Sequence, residues 1–275
     1  MVTFIVAAIV GAGVGILSGL LGIGGGTVMV PLFRLAFGME PIMATATSLF
    51  TIVPTSISGM WKHHVNKTSL PRVGIVCGIA GACLSPVGVW AAHVSPGWAI
   101  MGAAACVVIY SSYTMLRKAL KAPKRGAAAS KRKDASAKNG SVPVEVPAIK
   151  LTPKCVAKVA FIGIIAGFMS GYVGVGGGFI MVPLFVAMLG IPMRLASGTS
   201  LTAVCILAIP GVVEQAVLGN IDYVVGIAMM VGSIPGAVVG ANLVKRVPER
   251  ELRFIFAGFL FVAAIFLVLN EAGIL

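Results

Sequence analysis

Charged residues are scarce in this chain: they make up 11% of its 275 residues, and only 8 are acidic. A soluble domain carries about 25% charged residues, so the composition excludes an ordinary soluble protein. The strict apolar–polar alternation that transmembrane strands need is also missing. The chain has instead 58% hydrophobic residues, in recurring apolar stretches long enough to cross a bilayer as helices. The sequence therefore predicts an all-α polytopic membrane protein.

Residue patterns typical of catalytic, metal and nucleotide sites are missing as well. The 5 cysteines form no CxxC pair and have no metal-ligand spacing with the 3 histidines. Neither a nucleophile–base pair nor the GK[ST] ending of a nucleotide-binding phosphate loop is present. We therefore expect no enzymatic activity, no metal site and no cofactor.

Basic residues are concentrated in one stretch. Of the 21 lysines and arginines, 11 lie between Arg117 and Lys154. This clustering favours a solvated cytoplasmic linker over a nucleic-acid-binding surface, and a contact with anionic lipid is the alternative. The chain then divides into an N-terminal membrane region (1–117), a basic linker (118–153) and a C-terminal membrane region (154–275).

The two membrane regions repeat each other. A shift of 152 residues aligns them without a gap, and 19 of the 45 positions from 15 to 59 are identical to their partners. GIGGGTVMVPLF at 22–33 pairs with GVGGGFIMVPLF at 174–185, and the Thr-Ser-Leu at 47–49 pairs with the one at 199–201. Such self-similarity indicates a duplicated half.

Each half contains five hydrophobic segments, which we expect to be helical. The second segment of each half has only about 12 residues, or about 18 Å of helix, and a hydrocarbon core is about 30 Å thick. The first two segments of each half are therefore expected to form a helix, a glycine break and a short returning helix. The ten segments are 2–21, 26–37, 41–60, 72–93, 98–116, 154–173, 178–189, 194–213, 222–244 and 251–270.

The distribution of charge predicts the topology. With the linker in the cytoplasm, and with each broken pair returning to its own side, 20 of the 21 basic residues are cytoplasmic and Arg34 is the exception. Both termini then lie outside. The two halves enter the membrane from opposite faces, as in the inverted repeats of many secondary transporters. We expect a multi-pass protein of the bacterial inner membrane.

The glycine breaks are candidate substrate sites. Backbone N–H groups freed at a break, together with the helix dipole, favour an anion, and two related breaks could converge on one site. Close helix packing is the other use of glycine in membranes, and we prefer it for Gly11, Gly13, Gly15 and Gly102. The anion site is predicted at the two triplets, which are Gly24, Gly25, Gly26 and Gly176, Gly177, Gly178.

Four hydroxyls and one arginine extend the predicted substrate site. Thr47, Ser48, Thr199 and Ser200 could donate to an anion or bond back to a carbonyl one turn earlier. Arg34 could attract an anion or extend its side chain to an interface.

Titratable residues give weaker signals. His63 and His64 are expected to be solvated in a cytoplasmic loop. Glu214 could couple proton transport, but its position after the eighth segment favours an ordinary loop acid.

The motifs GLLGIGGGTVMVPL and GYVGVGGGFIMVPL, each followed by a Thr-Ser-Leu helix, resemble those of the TauE/SafE family of membrane transporters. The resemblance covers nearly the whole chain except the basic linker, which departs from the family in its length. It implies transport of sulfite, thiosulfate, sulfoacetate or a related small sulfur-containing anion.

We therefore predict a secondary transporter that binds a small anion between its halves and alternates access, in contact with membrane lipid and with H⁺ or Na⁺ as candidate coupling ions. Export is favoured over import, because a negative-inside potential drives an anion outward by about 2.3 kcal/mol per charge per 100 mV. The alternatives are an anion channel with the same site and an importer of another small organic anion. No nucleic-acid partner is expected, and the oligomeric state is left open.

Overall fold

The fold is helical throughout the part of the chain that the computed structural model describes, residues 2–121 and 152–271. This part contains ten helices and no strand, which confirms the all-α prediction. The predicted linker (118–153) lies outside the described residues, apart from 118–121, which continue the fifth helix, and 152–153, which cap and begin the sixth. In chain order the helices are α1 (Val2–Leu21), α2 (Gly26–Phe37), α3 (Pro41–Val65), α4 (Pro71–Val94), α5 (Gly97–Lys121), α6 (Pro153–Val173), α7 (Gly178–Met188), α8 (Met193–Val217), α9 (Tyr223–Leu243) and α10 (Glu249–Glu271).

Six of these helices, α3, α4, α5, α6, α8 and α9, are long and apolar enough to cross a membrane by length and composition. α2 and α7 have 12 and 11 residues and are too short to do so. Trp61, Trp90 and Trp98 lie near helix ends and are 64% exposed or more, as aromatic side chains are at a membrane–water interface. The architecture is that of a polytopic membrane protein.

Small residues allow the long helices to approach closely. α1 packs against α9, and α6 packs against α4. A Cβ atom added to Gly15, or to its repeat equivalent Gly167, would collide with the backbone of the facing helix. Gly11 makes the same kind of contact, which confirms the packing role predicted for Gly11 and Gly15. Within the described residues that role is wrong for Gly13 and Gly102, because a Cβ atom at either would have none of them within 4 Å.

Basic segments gather at one end of the helix bundle. Arg194 Nη2 donates to the carbonyl of Val247, at 2.6 Å, in the connection between α9 and α10. Asn66, in the connection between α3 and α4, donates to a carbonyl in the last turn of α9 at 3.1 Å. We call the end that carries Arg194, Asn66 and Val247 the basic end. At the opposite end, His93 lies 3.1 Å from Asn220. The side of the membrane that the basic end faces stays a prediction.

α3 and α8 both extend past the predicted segment ends, which corrects two expectations. The loop expected for His63 and His64 is wrong, because both lie within α3; His63 is fully buried, whereas His64 is exposed as expected. The Nε2 atom of His63 donates to the Gly19 carbonyl at 2.8 Å, and its Nδ1 atom lies 2.8 Å from Thr68 Oγ1. Two ring nitrogens with partners explain the burial, because a buried polar group is favourable only when it is hydrogen-bonded. Glu214 lies within α8 rather than in a loop.

Candidate functional site

Two glycine breaks interrupt the helices at equivalent places. The first glycine break (residues 22–25) separates α1 from α2, and the second glycine break (residues 174–177) separates α6 from α7. Gly25 and Gly177 cap α2 and α7 with φ of 88° and 67°, a region that glycine adopts readily. No side chain caps either helix. Because first-turn N–H groups have no acceptor within their own helix, each break presents hydrogen-bond donors and the positive end of a helix dipole.

The two breaks meet at the centre of the bundle. A Cβ atom built on Gly24 would lie 3.2 Å from Ile52 Cγ2 and 3.2 Å from Val204 Cγ1. A Cβ atom built on Gly176 would lie 3.2 Å and 3.4 Å from the same two atoms. Ile52 in α3 and Val204 in α8 are themselves repeat equivalents, and both side chains are buried. One pair of apolar side chains therefore closes both breaks.

Each short helix also begins against the opposite break. A Cβ atom on Gly26 would lie 2.6 Å from Val175 Cα, and one on Gly178 would lie 2.7 Å from the carbonyl oxygen of Ile23. Val175 and Ile23 are repeat equivalents, so these contacts are reciprocal. The structure thus brings both predicted glycine triplets into contact.

The two threonines of the Thr-Ser-Leu motifs are engaged with the backbone. Thr47 Oγ1 accepts from the N–H of Asp222 at 3.0 Å. Thr199 Oγ1 accepts from the N–H of Leu70 at 2.9 Å and donates to the Leu195 carbonyl at 2.6 Å. Asp222 and Leu70 are the N-cap residues of α9 and α4. Both hydroxyls therefore join a helix of one half to a helix start in the other half.

The two serines of the same motifs differ from each other. Ser200 Oγ lies 2.6 Å from the Gly22 carbonyl and 2.8 Å from the Ser197 carbonyl, so it donates to the first break or to its own helix. Ser48 is equally buried, but its hydroxyl has no hydrogen-bond partner among the described residues. Ser48 thus keeps a donor available, whereas the Ser200 donor has acceptors.

Arg34 stands apart from the glycine triplets. It lies in the last turn of α2, and its side chain is partly exposed. The helix rise of 1.5 Å per residue separates its Cα from that of Gly26 by about 12 Å. This distance is comparable with the Debye length, so salt should weaken the attraction between Arg34 and an anion at the break.

Sequence reasoning missed three hydroxyls near the first break. Ser18, Thr27 and Ser56 are buried, and their hydroxyls have no hydrogen-bond partner within the described part of the chain. Ser56 Oγ lies 3.5 Å from the position of a Cβ atom on Gly24, and Ser18 Cβ lies 3.6 Å from that of one on Gly25. An unpaired buried hydroxyl costs about 1–3 kcal/mol, so three of them near one break need an explanation.

The spacing of residues along α3 could have predicted one of these hydroxyls, that of Ser56. Ser48, Ile52 and Ser56 follow one another at intervals of four residues on α3, and residues so spaced lie on one face of a helix. The prediction of Ser48 as a site residue could therefore have been extended to Ile52 and Ser56.

The surroundings of the breaks are uncharged. The side chains nearest to the Cβ positions of Gly24, Gly25 and Gly176 are aliphatic, thioether and hydroxyl groups. Within residues 2–121 and 152–271, no group of three or more histidine, cysteine or acidic side chains could hold a metal ion. Backbone N–H groups and hydroxyls are thus the donors that the site offers to a ligand.

Comparison with known proteins identifies the family. Residues 7–267 match the family described as Sulfite exporter TauE/SafE. The probable membrane transporter protein YdhB of Bacillus subtilis is 27% identical over 262 residues, which cover 95% of each chain. A probable membrane transporter protein of Methanocaldococcus jannaschii is 26% identical over 275 residues, which cover 95% of this chain and 94% of the relative.

One relative carries the family name itself. The Sulfite exporter TauE/SafE family protein 3 of Arabidopsis thaliana is 37% identical over 113 residues, which cover 38% of this chain and 22% of the relative. No solved structure has a significant match. The family match over nearly the whole length confirms the resemblance of the glycine motifs, and the chain belongs to the TauE/SafE family of multi-pass membrane transporters.

Proposed function

We propose that this protein is a secondary transporter of a small sulfur-containing anion such as sulfite, thiosulfate, sulfoacetate or a related sulfonate. The observation that carries the proposal is the meeting of the two glycine breaks at Ile52 and Val204. Two helices with no side-chain cap begin there, and helix N-termini favour anions. The family description, Sulfite exporter TauE/SafE, supplies the sulfur-containing class.

The proposal includes two inverted repeats that alternate access. Along α1, Gly11 faces Met229 and Gly19 faces Ala237, so α1 runs in the same direction as α9. In the same way, Gly163 faces Cys77 and Gly167 faces Gly81, so α6 runs in the same direction as α4. α4 begins at the basic end and α9 ends there. Because α6 runs with α4 and α1 runs with α9, α6 also begins at the basic end and α1 begins at the opposite end. This arrangement supports two halves that enter the membrane from opposite faces.

A flux measurement tests the proposal. The purified full-length protein is reconstituted into liposomes, and uptake of radiolabelled sulfite is followed with unlabelled sulfite, thiosulfate, sulfoacetate, sulfate or acetate as competitors. We expect saturable uptake that internal unlabelled sulfite accelerates, because a carrier exchanges substrate as its site alternates. Efflux should exceed uptake under a negative-inside potential.

Other outcomes separate the alternatives. Non-saturating flux without acceleration by internal substrate would indicate an anion channel, and preference for acetate would indicate another class of organic anion. Absence of binding and flux for all the sulfur-containing anions would overturn the proposal. Repeating the assay with imposed H⁺ or Na⁺ gradients identifies the coupling ion.

Cysteine labelling tests the proposed orientation. Lys245→Cys and Leu218→Cys place thiols at exposed positions of the α9–α10 and α8–α9 connections, in a variant whose native cysteines are replaced. We expect a membrane-impermeant maleimide to label Leu218→Cys in intact cells and Lys245→Cys only after permeabilisation. The reverse pattern would contradict a cytoplasmic basic end.

A further inference from the structure

The first glycine break has three buried hydroxyls nearby, two of which have no counterpart in the second half. Ser18, Thr27 and Ser56 are each no more than 1% exposed, and none of their hydroxyls has a hydrogen-bond partner among the described residues. Their repeat equivalents are Ser170, Phe179 and Ala208, so two of the three hydroxyls are absent from the second half.

These hydroxyls lie around the start of α2. Thr27 belongs to the first turn of this helix, which has no side-chain cap at Gly25. Ser56 Oγ lies 3.5 Å from a Cβ position on Gly24, and Ser18 Cβ lies 3.6 Å from one on Gly25. Three unpaired hydroxyls therefore border a helix N-terminus at which the N–H groups of Gly26 and Thr27 precede the first helical hydrogen bond, from Val28 to Gly25 at 3.2 Å.

The space at the two breaks also differs. The three atoms nearest to a Cβ atom on Gly25 would belong to side chains: Val14 at 3.1 Å, Met29 at 3.3 Å and Ser18 at 3.6 Å. One on Gly177 would lie 2.6 Å from the backbone oxygen of Ala166. Side-chain ends can rotate away from a ligand, whereas a helix backbone cannot, so a ligand can approach Gly25 more easily than Gly177.

We infer that the protein has one anion site, at the first glycine break, in which Ser18, Thr27 and Ser56 donate to the oxygens of the substrate. This inference rests on the proposed function and adds which half holds the ligand. Three hydroxyl donors match the three oxygens of a sulfite or sulfonate head group, and first-turn N–H groups of α2 supply the attraction for its charge. The second break supports the site through its contacts with Gly26 and Ile52.

Binding of sulfite to purified full-length variants tests the inference, with calorimetry under anaerobic conditions and thermal unfolding as a check of folding. Thr27→Val and Ser56→Ala should each weaken binding about tenfold or more, because hydrogen bonds to charged groups contribute at this level. Thr27→Ser retains the hydroxyl and should bind like the wild type.

The matched controls are Ser170→Ala, at the repeat equivalent of Ser18, and Ser85→Ala. The hydroxyls of both serines are buried and unpartnered within the described residues, but neither belongs to the first break. Both controls should bind sulfite within about twofold of the wild type, whereas Ser18→Ala should bind about tenfold more weakly.

The outcomes distinguish this inference from the proposed function. If the wild type binds none of sulfite, thiosulfate and sulfoacetate, both fail. If the wild type binds but all hydroxyl variants that fold bind equally well, or if Ser170→Ala loses as much affinity as Ser18→Ala, the single-site inference fails and the proposed function stands. Weakened binding confined to Ser18, Thr27 and Ser56 variants supports it.

Discussion

The two glycine breaks share the pattern GxGGGxxMVPLF, yet their surroundings differ. At the first break, a Cβ atom on Gly25 would touch side chains, the nearest being Val14 at 3.1 Å. At the second, a Cβ atom on Gly177 would lie 2.6 Å from the Ala166 carbonyl oxygen. Left-handed φ values occupy the same positions in both halves, but the nearest neighbours of the N-cap glycine are side chains at the first break and a helix backbone at the second.

This difference shows that a duplicated motif does not guarantee a duplicated site. The glycines determine the backbone path, because left-handed φ values recur at the same positions in both halves. The side chains around each break determine which hydrogen-bond donors a ligand could meet there. Thr27 is replaced by Phe179, which is fully buried and leaves no hydroxyl at the start of α7.

The largest expected effect concerns the apolar pair between the breaks. Ile52→Ala should lower the free energy of unfolding by about 2–5 kcal/mol, the usual cost of this truncation in a packed core. Val204→Ala should cost less, because valine loses less volume and because Ile52 also contacts the Cβ position of Gly26, at 2.6 Å. Equilibrium unfolding in detergent measures both.

A volume-conserving swap serves as the control. Ile52→Val combined with Val204→Ile keeps the total side-chain volume and should cost less than about 1.5 kcal/mol. A swap as damaging as Ile52→Ala would mean that the two positions are not equivalent.

The second effect compares alanine at the two N-caps. Gly25→Ala and Gly177→Ala both place a side chain in left-handed backbone, at about 1–2 kcal/mol each. Gly177→Ala should lose about 1–3 kcal/mol more, because its Cβ atom meets the backbone of α6. Melting temperatures of the two purified variants test the difference, and equal values would contradict the tighter packing of the second break.

The third effect concerns the threonines that join the halves. Thr199→Val should lower the free energy of unfolding by about 1–2 kcal/mol, since the Leu70 N–H loses its acceptor. Thr47→Val should have a similar cost, because the Asp222 N–H loses its acceptor in the same way. Sulfite affinity should be unchanged in both variants; a loss of affinity without a loss of stability would restore the predicted substrate role.

The smallest effect is expected for Arg34. Arg34→Gln should weaken sulfite binding about two- to threefold, since its Cα lies about 12 Å from the start of α2 along the helix. The difference from the wild type should shrink as ionic strength rises, because salt screens charges over this distance. A tenfold loss that persists at high salt would place the guanidinium against the substrate.

Hydropathy and the repeat predicted the order of elements well. All ten segments are helices, because long apolar runs in a bilayer must satisfy their backbone internally. The ends of α3 and α8 were less predictable. His63 is polar and follows an apolar run, a pattern that predicts a loop residue. It is buried in α3 because it bonds to Gly19, which lies on a different helix.

The candidate site was predicted in part. The glycine triplets were found from their repetition, and the structure places them together. The hydroxyls of Ser18 and Ser56 were not found, because a serine in a membrane helix has the same sequence signal whether it bonds to its own helix or lies unpaired. Thr47 and Thr199 show the converse, since each accepts from a backbone N–H more than a hundred residues away.

The sequence by itself determined the membrane class, the duplication, the ten helices and the two glycine breaks, because these depend on local composition and on identity between the halves. The tertiary structure decided which atoms surround each break. Contacts such as those of Ile52 with Gly24 and Gly176 depend on how distant helices pack, and packing places side chains nearest to the N-cap glycine of one copy of the motif and a helix backbone nearest to that of the other.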